Sequence, residues 1–266
     1  MKKLNLAIGS VLCSIWLLMT LISLIYTPYD PLFMHLDSRL SAPNPEFLLG
    51  TDQYGRDLLS RLLAASSVSF IVCASTTLIA IIIGGAIGAM AGYKSGIFDR
   101  LVVMVLDAVM AFPPLLLVLL FLSVAGPSLP SIIIALAIAY IPTAARVMRS
   151  AVLSIREKEY VEACLVLGQP TFTILGKHIL PNTLSPMIVL ATSMFATVLL
   201  IESALSFLGL GVAPPAATWG GLLADSRQYL GVAPWLSIVP GVVISLTLLG
   251  ISMLGDALRD VLDPKV

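Results

Sequence analysis

Charge is what this sequence has least of. Asp, Glu, Lys and Arg make up only 11% of its 266 residues, against roughly 25% in an ordinary soluble domain. The 15 basic and 15 acidic side chains cancel, so the net charge points to no acidic or basic partner, and no nucleic acid is expected. Histidine is scarcer still. His35 and His178 alone cannot make a histidine-rich metal cluster, and no metal site or cofactor is expected. The three cysteines, Cys13, Cys73 and Cys164, lie far apart, and the first two fall in apolar runs. They read as small buried hydrophobes, not as a disulfide framework.

Several motifs are missing as well. No Gly-x-x-x-x-Gly-Lys-[Ser/Thr] run is present, so the chain should neither bind nor hydrolyse ATP. The absence of His-Glu-x-x-His and Gly-x-Ser-x-Gly argues against an intramembrane protease or hydrolase. No inverted repeat is visible, and few charges lie inside the apolar runs. That leaves little for ion coupling in a stand-alone carrier.

Apolar residues are what remains. They form 58% of the chain, and the mean hydropathy is +1.02. One aqueous core could not hide that much apolar surface, so lipid must serve as solvent. Six runs are long enough to cross a hydrocarbon core of roughly 30 Å as helices: 4–26, 67–92, 101–125, 131–147, 184–208 and 236–254. The fourth is short and carries Pro142. The first follows Lys2 and Lys3, but its length and the lack of a small-residue cleavage site mark a retained helix.

Orientation follows from the basic residues. With the amino terminus inside, the inner segments hold Lys2, Lys3, Lys94, Arg100, Arg146, Arg149, Arg156, Lys158, Lys177, Arg259 and Lys265. The outer segments hold Arg39, Arg56, Arg61 and Arg227. Both termini are therefore expected in the cytoplasm.

Burial of apolar surface cannot by itself join helices in lipid, so small residues must let backbones approach. Gly84, Gly88 and Gly92 fall on one face of the second run, with Ser66, Ser75 and Ala80 as further small positions. Pro113, Pro114, Pro142 and Pro240 should kink their helices. Two acids sit inside runs: Asp107 in the inner half of the third, and Glu202 towards the outer end of the fifth. Each reads either as a polar point on a translocation path or as a hydrogen-bonded structural acid.

The longest inner segment, 148–183, reads as two short amphipathic helices lying along the membrane surface. Val161, Leu165 and Gly168 keep helical spacing, with Gly168 as a stop. Pro170 suits the first turn of the next helix, which Pro181 should end. The order Glu162-Ala163-Cys164, then Gly168, then Leu180-Pro181 resembles the EAA loop of bacterial ABC import permeases. Cys164 replaces the family's second alanine, and His178 stands at its usual isoleucine position.

Three more stretches are similar to the dipeptide, oligopeptide and nickel branch of that family. They are Leu49-Gly-Thr-Asp-Gln-Tyr-Gly-Arg-Asp57 with Ser60-Arg61, Leu205-Ser-Phe-Leu-Gly-Leu-Gly211 with Pro214-Pro215 and Trp219-Gly220, and Leu254-Gly-Asp-Ala-Leu-Arg-Asp-Val-Leu-Asp-Pro264. Read alone, Gly50, Thr51, Asp52, Gly55, Arg56 and Asp57 could be a tight turn with capping acids and a solvated pair.

The resemblance implies an all-α polytopic fold of the type I importer kind and the second of two homologous permease subunits. It would be seated in the bacterial inner membrane bilayer with two ATP-binding ATPase subunits and an external solute-binding protein. Glu162, Ala163, Cys164, Gly168, Leu180 and Pro181 would then couple to the ATPase, which alone would hydrolyse ATP. Residues 1–66 would form the first helix and external loop, 67–258 the permease core, and 259–266 a cytoplasmic tail. The cargo would be nickel, a metal chelate or a small peptide. The short outer loop leans towards metal. The competing readings are a stand-alone carrier or channel and a membrane enzyme.

Overall fold

The computed structural model describes residues 2–262, with side chains from Leu4 onward. The Lys2, Lys3 and Lys265 side chains and the Asp263-Pro264 end of the tail motif therefore lie outside the described residues. Helices account for all regular structure among the described residues. They are α1 (Lys2–Ser23), α2 (Leu58–Lys94), α3 (Gly96–Met110), α4 (Pro114–Ala125), α5 (Leu129–Arg156), α6 (Glu159–Val166), α7 (Thr171–Thr173), α8 (Leu180–Phe207), α9 (Trp219–Ser226) and α10 (Trp235–Leu262). A six-residue π-helical stretch, Ile174–Ile179, joins α7 to α8.

Among the described residues, five helices are long and apolar enough to cross a membrane, or six if the bent pair α3–α4 is one span. That agrees with the six runs, with three differences. The second span starts at Leu58, not near residue 67, because Asp57 caps it by accepting from the Ser60 amide at 2.8 Å. The third is broken, its halves lying 82° apart. Pro114 opens α4, and a residue before proline is pushed out of the helical region, so Pro113 is extended with ψ 132. The fourth is not short: α5 runs unbroken through Pro142 for 28 residues, about 42 Å.

The glycine face of α2 packs on α5. A Cβ at Gly84 would lie 2.6 Å from the Ile141 carbonyl oxygen, one at Gly88 2.2 Å from that of Ala145, and one at Gly92 2.9 Å from that of Arg149. Backbones this close leave no room for even a methyl group. The same device joins the first and last helices, where a Cβ on Gly9 would meet the Leu254 amide at 2.7 Å. The second pairing was not anticipated, because one glycine on each of two distant helices leaves no local pattern. Trp16 of α1 ties the bundle together, its ring 5.6 Å from Phe70, 5.5 Å from Phe195 and 5.1 Å from Trp219.

The connections sort to two ends. Residues 24–57 and α9 share one: Tyr29 donates its amide to Ser60 Oγ and Trp219 its indole N–H to the Leu62 carbonyl. The 157–180 segment lies at the other, where Arg156 clasps the end of α2 through the carbonyls of Gly92 and Tyr93 and through Ser95 Oγ.

Candidate functional site

The EAA-like segment is a short helix, a tight stop and a second helix. On α6, Val161 and Cys164 are buried, while Glu162 and Ala163 face outward. Beyond α6 the chain reverses at Gly168, whose φ is +70. The Gln169 amide donates to the Cys164 carbonyl at 3.1 Å, and the Gly168 amide to that of Leu165 at 3.0 Å. This is a Schellman cap, which needs a left-handed residue at the glycine position.

The stop projects apolar side chains. Val166, Leu167 and Phe172 are 83%, 77% and 89% exposed, although the buried side of the same segment holds Ile174 and Ile179. A compact apolar knob on a rigid turn is suited to insertion in a groove of another protein.

Pro181 does not end the second helix, contrary to expectation. Residues Thr171–Phe207 form one continuous helical stretch that carries the surface helix straight into the fifth span. Proline lacks an amide and its ring strikes the carbonyl four residues back. The helix takes π geometry just before Pro181: the Leu180 amide reaches back to the Leu175 carbonyl, and Asn182 donates its side-chain amide to the His178 carbonyl at 2.7 Å. Leu180 and Pro181 are therefore exposed residues on a rigid lever, joined to Gly168 by one helix.

The outer-loop motif is a folded knot, not a solvated turn. Asp52 is buried and accepts from the amides of Tyr54 (2.8 Å) and Arg56 (2.9 Å), from Arg56 Nε (2.7 Å) and from Arg61 Nη1 (3.0 Å). Gly50 and Gly55 have φ of +78 and +77, and a Cβ on Gly55 would fall 1.9 Å from the His35 carbonyl oxygen. Thr51 is buried, accepts from the Ser41 amide at 2.9 Å and donates to the Ser38 carbonyl. Arg61 is the hub that motif reading left in the background, for its second nitrogen stands 3.9 Å from Asp225 of α9. Partial desolvation raises the pKa of the Asp225 carboxyl, although its side chain is 54% exposed, and Arg56 opposes that shift.

The two intramembrane acids differ sharply. Glu202 is fully buried, accepting from Ser206 Oγ at 2.8 Å beside Thr218. Asp107 is 57% exposed and pairs with Arg146 of α5, itself 53% exposed, at 2.6 Å. A charge facing lipid at the bilayer centre costs about 2.5–3.5 kcal/mol, so such a pair needs water or protein over it. Among the described residues no cluster of three or more His, Cys, Asp or Glu side chains could hold a metal. The His35 ring packs between Phe33 at 4.8 Å and Phe47 at 5.3 Å as part of the loop core.

These features agree with what the chain is similar to. Residues 84–266 match the family of binding-protein-dependent transport system inner membrane components. A peptide transport system permease protein of Brucella suis is 41% identical over 267 residues, covering 100% of this chain and 90% of that protein. The dipeptide transport system permease protein DppC of Alkalihalophilus pseudofirmus is 39% identical, covering 100% of this chain and 88% of its own length. The glutathione transport system permease protein GsiD of Pectobacterium atrosepticum is 35% identical, covering 90% and 80%. The inward-facing MetNI methionine ABC transporter shares the fold at a TM-score of 0.62 and 18% identity, over 76% of this chain and 96% of that one. The chain therefore belongs to the binding-protein-dependent inner-membrane transport components and is a multi-pass permease subunit of an ABC importer of the peptide family.

Proposed function

We propose that this permease passes small peptides handed over by an external binding protein. The observation that carries the reading is the run of relatives named for peptide, dipeptide and glutathione transport, at 35–41% identity over 90–100% of the chain. The lean towards nickel finds no support in those names, nor in the packing of His35 among aromatic rings. ATP hydrolysis belongs to the separate ATPase subunits, and a second homologous permease completes the path.

The knob at Val166, Leu167, Gly168 and Phe172, with Glu162 and Ala163 beside it, is read as the contact to the ATPase. Its exposed apolar surface supports this, as does the stiff connection through Leu180 and Pro181 into α8. Both termini and this knob are placed in the cytoplasm, on the strength of the basic bias of the segments at that end. The 24–57 knot, with Gly50, Thr51, Asp52, Gly55, Arg56 and Asp57 as its framework, would meet the binding protein. In functional terms 1–66 takes in the first helix, the outer loop and the first turns of α2, 67–258 the core with its coupling loop at 148–183, and 259–266 the inner tail, into which α10 runs as far as Leu262. ATP binding would draw the knobs together and rock the helices between inward-open and outward-open states. The test is reconstitution of the complete transporter in liposomes with labelled dialanine and labelled nickel. ATP-dependent uptake of the peptide alone is expected, and uptake of nickel alone overturns the reading.

A further inference from the structure

Three arginines line the inner half of α5, and two are held by more than one hydrogen bond. Arg156 binds two carbonyls and a hydroxyl, while Arg149 grips Asp99 through both Nε and Nη2. Arg146 differs. Its one hydrogen bond among the described residues runs from Nη2 to a single oxygen of Asp107. A guanidinium has five donors and a carboxylate two acceptor oxygens, so both members keep capacity to spare.

Position makes that capacity informative. Arg146 lies ten residues before Arg156, about 15 Å along the helix, well inside the span. Towards that end, the exposed positions of α5 at i+4 spacing are all polar: Arg146, Ser150 and Ser154. Towards the opposite end the exposed positions of the same helix are Pro130, Ile134 and Ile138. The outward faces of α1 and α4 are likewise apolar, with Val11, Leu18, Leu116 and Leu120 exposed, as lipid requires. The polar lane on α5 is not a lipid face.

We propose that Asp107, Arg146, Ser150 and Ser154 line the water-filled inner half of the translocation path. There the fixed pair of opposite charges meets the carboxylate and ammonium of a passing zwitterion. Arg146 offers its free guanidinium edge to the carboxylate, and Asp107 its free oxygen to the ammonium. This assignment of the solute rests on the peptide reading above, and the lane itself does not.

The test uses the complete transporter in inside-out vesicles. Ser150→Cys, Ser154→Cys and, as a lipid-facing control, Leu116→Cys are made in a background without native cysteines. Each is treated with a charged, membrane-impermeant methanethiosulfonate. Both lane cysteines should react faster than Leu116→Cys, and trapping with ATP and vanadate should slow them, since closure removes the water. Rates no faster than the control, or indifferent to trapping, overturn the lane. So does ready cross-linking, under a mild oxidant, of Ser150→Cys to a cysteine introduced in the second permease, which would make the stripe a subunit contact. Arg146→Gln should lower dipeptide turnover about ten-fold or more, with the ATPases still co-purifying and Arg146→Lys recovering part of it. Turnover unchanged in Arg146→Gln overturns the role of the pair. If the lane cysteines label as expected yet wild-type vesicles transport no dipeptide, the peptide reading fails and the lane stands.

Discussion

Gly168 offers the sharpest test of how the knob works, because strain and crowding separate there. Its φ of +70 is a conformation L-residues rarely adopt, yet a Cβ at this position would meet nothing within 4 Å. Gly168→Ala therefore adds no clash. It adds only the left-handed penalty of about 1–2 kcal/mol. That cost falls on the turn that makes the two capping bonds to Cys164 and Leu165. A penalty of this size shifts a local equilibrium by a factor of about 5–30. If transport needs the cap intact, uptake of labelled dipeptide by the reconstituted complex should fall within that range. ATPase co-purification should weaken alongside it, while the thermal midpoint of the helical bundle stays put. Asparagine tolerates the left-handed region, so Gly168→Asn should keep most of the activity. Gly168→Leu shares the backbone cost of alanine, and any further loss measures the fit of the side chain in the partner's groove. Wild-type uptake in Gly168→Ala, or equal losses in the Asn and Ala variants, would refute the argument from backbone conformation.

Gly88→Ala sets a methyl group 2.2 Å from the Ala145 carbonyl oxygen and must push α2 off α5. A loss of about 1–3 kcal/mol should lower the thermal midpoint in detergent, and an unchanged midpoint contradicts the packing. Asp52→Asn leaves the buried Arg61 guanidinium with only the distant Asp225 carboxylate. About 3–5 kcal/mol should be lost locally, read as faster proteolysis of residues 24–57, and resistance equal to wild type would argue against the knot. Glu202→Gln keeps an acceptor for Ser206 and should transport normally, whereas Glu202→Ala strips it at about 1–3 kcal/mol. Abolished uptake in a well-folded Glu202→Gln would return that residue to the translocation path.

The spans were legible because hydropathy over about 20 residues is a property of the segment itself. What proline does was not, since its effect depends on neighbours. At Pro113-Pro114 two rings in succession force an extended residue and an 82° bend. Pro142 stands alone on a helix clamped to α2 by glycines, and α5 continues unbroken through it. At Pro181 a π-helical stretch precedes the ring, and in place of the expected helix end Thr171–Phe207 is continuous.

Burial of charge was equally illegible. Glu202 sits in a helix with little apolar asymmetry, where periodicity cannot say which face meets protein. Asp107 shares its face of α3 with Asp99, which does not say whether that face meets protein or water. Glu202 is buried beside Ser206 and near Thr218, which lies more than ten residues downstream at the start of α9. Arg56 and Asp57 read as a solvated pair for the same reason. The aspartate that fixes the loop is Asp52, and its second arginine comes from the start of α2.

These surprises bear on one mechanical point. A helix that ended at Pro181 would leave the knob hinged to the membrane domain, and motion at Gly168 would be lost in the joint. On the proposed coupling role, a continuous Thr171–Phe207 helix would carry that motion to the face of α8 that holds Glu202 and Ser206, beside Thr218 at the start of α9. A permease without an ATP site has to be moved from outside, and a rigid rod from the knob to the far end meets that need with one element.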